Sequence, residues 1–407
     1  MTNKIAIIIG ASHAAAQLST SLRQEGWAGE ILVIGDEPYL PYHRPPLSKT
    51  FLSGEKTEDD LLIRPAAFYE KNNIQFKQST VTCINREQKT LTLSDGTQLA
   101  YDKLALCMGA RVRKAAIVGE ELSGVCYLRS ISDVKGIQPY VAQGKRAVII
   151  GGGYIGLETA AALRKQGMDV VVLEMAYRIL QRVTAPELSE FYTRIHQEEG
   201  VSIHTGVSVT AIVGNGHVEK VVCTNGAEFA ADVVIIGVGV VPNVELAEAA
   251  GIKIDNGIVV DEFGQTNDAN IVAAGDCANH FNAIYQRRMR LESVPNAGEQ
   301  GKTAAATLCG LTKAYKSLPW FWSDQYDLKL QIAGLSQGYD HVSIRGDKQN
   351  SRSFVAFYFK ESRLIAADCI NRPQEFMLSK KIITEGIMIE PSRLADESIA
   401  VKELLLV

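Results

Sequence analysis

Apolar positions in this chain fall into short unbroken runs, and the two clearest are each followed by glycine. Residues 4–9 form one run and Gly10 follows it; residues 147–150 form another and Gly151 follows. Unbroken apolarity over that length predicts strands covered on both faces, as in a parallel sheet, where a half-exposed strand would alternate. Each glycine opens a helix-compatible stretch, to residue 25 and to residue 166, and each stretch leads to a further apolar run, 30–34 and 169–173. The pattern therefore predicts two βαβ units. Beyond Pro319 the period changes: residues 329–332, 342–344, 354–359 and 364–370 predict an antiparallel sheet, with a helix over 374–384 after it.

The turn of the later unit reads Gly151-Gly152-Gly153-Tyr154-Ile155-Gly156, the GxGxxG spacing between strand and helix. Gly151 permits the tight turn, Gly153 lets backbone approach a pyrophosphate, and Gly156 lets helix lie on strand, while the helix N-terminus favours phosphate charge. Glu174 closes the second strand, 18 residues past Gly156. An acid there accepts hydrogen bonds from an adenosine ribose and repels a 2'-phosphate, which favours NADH over NADPH, although Arg178 argues the other way. The first turn is degraded. It reads Gly10-Ala11-Ser12-His13-Ala14-Ala15, with two of the three glycines replaced, and alone it fits an ordinary βαβ turn equally well. Two dinucleotide-type units in one chain, with no separate substrate domain between them, suggest that one dinucleotide reduces the other. A third motif is the short run ending in Gly275-Asp276, where glycine would let a carboxylate approach a bound polyol; a plain strand-end turn is the alternative. The segment Glu292-Ser-Val294-Pro-Asn296-Ala then reads as the start of a helix continuing through Gly301 and Lys302 to Cys309.

A length of 407 residues suggests two or three domains. With 46% hydrophobic and 22% charged residues the chain has the balance of a globular protein, and a net charge of -4 gives no reason to expect nucleic acid or an anionic membrane as partner. No run approaches the roughly 20 apolar residues of a membrane helix, and no signal segment precedes the first strand, so a cytoplasmic location is expected. Seven cysteines stand singly, without CxxC spacing, which predicts reduced thiols and neither a redox pair nor a metal or iron-sulfur ligand set.

Several ordered segments carry a resemblance over the whole chain: Gly35-Asp36, Arg44-Pro-Pro-Leu-Ser48-Lys49, Tyr127-Leu-Arg129, Gly151 to Glu158, Arg182-Val-Thr-Ala-Pro186, Gly275-Asp276-Cys277, Glu292-Ser-Val-Pro-Asn296 and Pro319-Trp-Phe-Trp-Ser-Asp324. In these the chain resembles the FAD-dependent ferredoxin reductases of bacterial oxygenase systems, the group of putidaredoxin and biphenyl-dioxygenase reductases. The resemblance implies an α/β fold of the glutathione-reductase type: an FAD domain from residues 1–110 and 240–316, an NAD domain from 111–239, both Rossmann-like, and a C-terminal α+β domain from 317–407. It implies FAD held by Gly10, His13, Ala14, Asp36, Lys49, Val81, Arg129, Asp276, Val294 and Trp320, and NADH held by Gly151, Gly153, Tyr154, Ile155, Gly156, Glu174 and Gly239. Cys107-Met108-Gly109 stands where the wider group has Ala-Thr-Gly.

Lys49, after a stiff Pro-Pro stretch, is expected beside the flavin N5 edge, paired with Glu158 one turn inside the NAD-domain helix; two solvated surface charges are the alternative. Tyr154 would cover the flavin or simply pack, and Trp320 and Trp322 would stack on the flavin, line an electron exit, or form core. Residues 1–82 hold no cysteine, which removes the disulfide-reductase chemistry and the single-cysteine peroxide and coenzyme A disulfide chemistries of this fold and leaves direct electron delivery. The resemblance implies a [2Fe-2S] ferredoxin as acceptor, with Arg287, Arg288, Arg290 and Lys302 as a docking patch or merely a solvated face. A rubredoxin acceptor, or a flavoprotein whose reduction only switches a binding surface, are the rival readings.

Overall fold

The computed structural model describes residues 4–405. They form two compact units: one takes the chain up to His43, Asp59–Arg111 and Val240–Pro319, the other Arg44–Glu58, Val112–Gly239 and the chain from Trp320 on.

In the first unit the run at the start of the chain becomes the strand Ile5–Ile9. It is the middle strand of a five-stranded parallel sheet in the order Ile271–Ala273, Lys103–Leu106, Ile5–Ile9, Glu30–Gly35, Ile74–Gln78. Ala6 and Ile8 face the helix residues Ala14, Ala15, Leu18 and Leu22, whereas Ile7 and Ile9 face Val81, Leu91 and Leu106. Both faces are thus covered, which is why the run does not alternate. The helices His13–Gln24 and Val294–Leu308 pack on each other. A Cβ at Gly301 would lie 2.9 Å from the Ala14 carbonyl oxygen, so this approach depends on glycine there.

The second unit repeats the plan. Its parallel sheet runs Ser202–Thr205, Asp169–Glu174, Arg146–Ile150, Val233–Ile236, Val125–Tyr127. Each parallel sheet is accompanied in its unit by a three-stranded antiparallel excursion, Val81–Asn85 with Thr90–Leu93 and Gln98–Ala100 in the first and Val209–Gly214 with Val218–Cys223 and Glu228–Ala230 in the second. The polarity pattern does not announce either one.

The C-terminal sheet, in the order Trp320–Gln325, Leu328–Gly334, Arg363–Ile370, Phe354–Lys360, His341–Gly346, is antiparallel throughout and carries the helix Pro373–Glu385. Its first strand lies in the Pro-Trp-Phe-Trp segment, which the period-two reading leaves unassigned. Among the described residues no helix is long and apolar enough to cross a membrane, and no group of His, Cys, Asp or Glu could hold a metal ion.

Burial leaves His196 and His280 uncharged, each pushed down to about 4 from 6.5. Unfolded histidine binds its proton below 6.5 while the buried ring does not, so stability is full above pH 6.5 and falls toward pH 4, by up to about 3 kcal/mol per ring. Asp368 opposes this: burial raises it from 3.8 to about 6, so its contribution is full below 3.8 and lost as pH rises through 6. The Asp368→Asn variant should therefore show a steeper acid-side fall than wild type in denaturant midpoints taken across that range. An unchanged slope would mean that Asp368 is not buried in its charged form.

Candidate active site

The Gly151 loop brings its backbone close to its neighbours on one side and leaves it open on the other. Gly151 has φ +115°, and a Cβ there would lie 2.4 Å from the Gly237 carbonyl oxygen. A Cβ at Gly156 would lie 2.1 Å from the Gly151 carbonyl oxygen. At Gly153 nothing stands within 4 Å of the would-be Cβ. Gly153 is also the N-cap of the helix Tyr154–Lys165 and can offer its amides no side-chain cap. Uncapped first-turn amides behind an open backbone face fit a pyrophosphate. Ile155 is exposed at that helix start, and Gly239 lies at φ +102° just past the strand Val233–Ile236.

Glu174 holds this loop in shape. Its Oε2 accepts from the Gly152 amide at 2.6 Å and its Oε1 from the Ala176 amide at 2.7 Å, leaving each oxygen further lone pairs for a ribose. Arg178 is committed elsewhere, donating to Ser189 Oγ at 2.6 Å and to the Gln181 carbonyl at 3.1 Å. If Glu174 takes the adenosine ribose of NADH, Glu174→Ala should weaken NADH binding about tenfold, the loss of roughly one charge-assisted hydrogen bond. It should narrow the gap in kcat/KM between NADH and NADPH without reversing it, because Arg178 is tied away. A gap left unchanged would show that the carboxylate serves the loop alone.

In the first unit Gly10 has φ +100°, and a Cβ there would lie 2.1 Å from the Cys107 carbonyl oxygen. The Cys107-Met108-Gly109 segment therefore passes directly against the turn. Ser12 places no side-chain cap on the helix His13–Gln24, as Gly153 places none on the helix of the second unit. Gly275, at φ +86°, brings its backbone against Ala14, with a would-be Cβ only 3.1 Å from Ala14 Cβ. Gln300 Oε1 accepts from the Gly275 amide at 2.8 Å and so holds the turn that carries Asp276. The Ser293 side chain caps the helix starting at Val294 by accepting from the Asn296 amide. His13 Nε2 lies 3.3 Å from His43 Nδ1. Asp36 is exposed just past the strand Glu30–Gly35, and Val81 is buried at the start of the excursion. Of the ten residues expected at FAD, these seven (Gly10, His13, Ala14, Asp36, Val81, Asp276, Val294) lie in the first unit; Lys49, Arg129 and Trp320 lie in the second.

Lys49 and Glu158 meet within the second unit. The 3-10 turn Pro45–Ser48, with prolines at its start, delivers Lys49 Nζ to 2.9 Å from Glu158 Oε1. Side-chain exposure is 17% for Lys49 and 2% for Glu158, so the carboxylate is not a solvated surface charge. Ser48 Oγ donates to Oε2 at 2.6 Å, and Ser323 Oγ donates to Oε1 at 2.6 Å. Neither serine stands out in the sequence except as part of the Arg-Pro-Pro-Leu-Ser-Lys and Pro-Trp-Phe-Trp-Ser segments.

The Tyr154 ring packs on Phe321 with centroids 5.1 Å apart. Its hydroxyl is buried with no hydrogen-bond partner, and burial pushes the phenol well above its ordinary range. Trp320 lies between Trp322 and Phe376, centroids 5.6 and 5.7 Å away, with Lys380 Nζ 5.2 Å above its ring. In the basic grouping Arg288 donates to the Val260 and Asn279 carbonyls, and Arg290 to the Asp276 carbonyl and to Glu292. Lys302 is paired with Glu299 at 2.7 Å. Much of that charge is therefore spent within the fold.

Residues 4–301 match the pyridine nucleotide-disulphide oxidoreductase family and residues 320–405 the reductase C-terminal family. The chain belongs to the pyridine nucleotide-disulphide oxidoreductases. It is 43% identical to putidaredoxin reductase of Pseudomonas putida over 99% of its own length and 97% of that protein's. It is 38% identical to a rubredoxin-NAD(+) reductase, also of Pseudomonas putida, over 90% of its length and 96% of the relative's. The crystal structure of a covalent putidaredoxin reductase-putidaredoxin complex superposes with a TM-score of 0.96 at 43% identity, covering 100% of this chain and 99% of that one. The mixed α/β fold with a separate C-terminal sheet is thus the fold of this family, whose proteins are oxidoreductases using FAD and NAD(H).

Proposed function

We propose that this chain is an NADH-dependent ferredoxin reductase that feeds electrons to a terminal oxygenase through a [2Fe-2S] ferredoxin. The observation that carries the reading is a pair of tight glycine turns in one chain, Gly10 and Gly151, each between a parallel strand and a helix and each too close to a neighbouring carbonyl to admit a Cβ. FAD held there would supply an acceptor for the nicotinamide hydride and a donor of single electrons. The chain's own residues hold and orient. Gly151, Gly153, Tyr154, Ile155, Gly156, Glu174 and Gly239 take NADH. Gly10, His13, Ala14, Asp36, Val81, Asp276 and Val294, with Lys49, Arg129 and Trp320, take FAD. In this assignment residues 1–110 with 240–316 form the FAD domain, 111–239 the NAD domain and 317–407 the C-terminal domain. The Lys49–Glu158 pair, with its buried carboxylate, acts on flavin reduction by presenting a fixed pair of charges. Residues 1–82 contain no cysteine to serve as a thiol relay. The likeness to putidaredoxin reductase supports a ferredoxin acceptor, and the seven free cysteines fit a reducing cytoplasm.

Anaerobic stopped-flow mixing with NADH and with NADPH, followed by a two-iron ferredoxin, tests this reading. Fast bleaching of the flavin by NADH, slow bleaching by NADPH and reoxidation by the ferredoxin are expected. Bleaching with no reoxidation would sink the ferredoxin step and favour a protein switched by its own reduction. The likeness to a rubredoxin reductase supports rubredoxin as a second acceptor to run in parallel. If Arg287, Arg288, Arg290 and Lys302 dock an acidic partner, turnover must fall as salt rises; salt-insensitive turnover removes the patch from the mechanism.

A further inference from the structure

Glu158 is the end of a longer chain of buried polar groups, and its charge determines the direction of every link. A carboxylate only accepts, so the 2.6 Å contact to Oε1 uses the Ser323 O–H as donor. Ser323 Oγ then accepts from Gln325 Nε2 at 3.1 Å. This leaves Gln325 Oε1 facing His196 Nε2 at 2.8 Å, which must carry the ring proton. Burial keeps His196 neutral, with its pKa down at about 4, so Nδ1 is bare and accepts from the Tyr326 hydroxyl at 3.2 Å. Ser323 and His196 are fully buried and Gln325 is 1% exposed.

We infer that Ser323, Gln325, His196 and Tyr326 are positioning residues for Glu158, a one-way hydrogen-bond chain whose donors all point toward its Oε1. Aligned donors polarise one another, so the last O–H, the one on the carboxylate, is strengthened by those behind it. Ser48 holds Oε2 from the opposite side at 2.6 Å, and the carboxylate is thereby fixed at both oxygens while Lys49 meets it at 2.9 Å. Apolar residues of similar volume would fill these positions without a desolvation cost. A chain that terminates on the one carboxylate salt-bridged to Lys49 is accounted for by what that carboxylate must do. The inference rests on the reading of the Lys49–Glu158 pair as part of flavin reduction.

Infrared difference spectra of the holoprotein labelled with 13C-glutamate test it, alongside stopped-flow reduction by NADH. The band lost in Glu158→Gln identifies the Glu158 carboxylate. That band should shift in Ser323→Ala and Gln325→Leu, with flavin reduction slowed about tenfold, the usual size of an outer-partner effect. Ser323→Thr, which keeps the hydroxyl, should restore both. Tyr326→Phe, at the outer end and least disruptive to the fold, should shift the band in the same direction by less. An unmoved band in Ser323→Ala and Gln325→Leu, with Glu158→Gln still slow, overturns the chain and leaves the pair's role intact. A wild-type reduction rate in Glu158→Gln overturns the role of the pair, and this inference with it.

Discussion

Lys49→Met should lower the unfolding free energy by about 3–5 kcal/mol, because it strands a buried carboxylate, and should slow flavin reduction by NADH about a hundredfold. The asymmetry of the pair makes the prediction sharp. Glu158 is 2% exposed and Lys49 is 17% exposed. Without the ammonium, Glu158 keeps, among the described residues, the two serine hydroxyls as donors, in a place barely open to solvent. Glu158→Gln is the milder change in stability. It keeps the volume and an acceptor oxygen, and the released ammonium can turn to the Pro45 carbonyl, already 3.5 Å away, and to solvent. That variant should cost only about 1–2 kcal/mol, the price of imperfect hydrogen bonding, yet slow reduction as much as Lys49→Met. Denaturant midpoints and anaerobic stopped flow on the two variants separate stability from rate. Equal midpoints for Lys49→Met and wild type would show that the carboxylate is hydrated, and wild-type rates in both would take the pair out of the reaction.

Gly156→Ala and Gly153→Ala should fail in opposite ways. A Cβ at 156 would sit 2.1 Å from the Gly151 carbonyl oxygen, a separation that only backbone movement can relieve, so a loss of about 3 kcal/mol or more in stability is expected. Gly153 has φ -81° and ψ 177°, which alanine adopts freely, and its would-be Cβ meets nothing within 4 Å. Gly153→Ala should stay within about 1 kcal/mol of wild type in stability, the usual cost of exchanging N-cap residues. It should nevertheless raise the KM for NADH more than about tenfold, since the methyl group occupies the face at which a pyrophosphate would lie. Thermal melting with NADH titration reads both. Wild-type NADH affinity in Gly153→Ala would place the dinucleotide somewhere other than on this loop.

Of the polar groups that lead to Glu158, only Ser323 and Gln325 leave a trace in the local sequence pattern. In the strand Trp320–Gln325, residues 321, 323 and 325 share one face, and Ser323 and Gln325 are both buried. Two polar residues at period two beside the tryptophans are a sign that one face of the strand serves a buried polar system.

The two βαβ units, the glycine turns and the C-terminal antiparallel sheet could be derived from the sequence because their causes are local. A positive φ at Gly10 or Gly151, an apolar run covered on both faces and a period of two are properties of consecutive residues. That Lys49 and Glu158 belong together could be named from the resemblance, but not from spacing. Their meeting, and the arrival of Ser323 and His196 beside them, were decided by tertiary packing. The turn Pro45–Ser48, the helices Tyr154–Lys165 and Pro186–Glu198 and the strand Trp320–Gln325 are far apart in the chain and brought into contact within one unit. The same packing committed Arg178, Arg288 and Arg290 to internal partners, which a count of charges along the chain reads as free. A buried charge acts through whichever groups surround it, and those are chosen by the fold of the whole unit, not by neighbours in sequence.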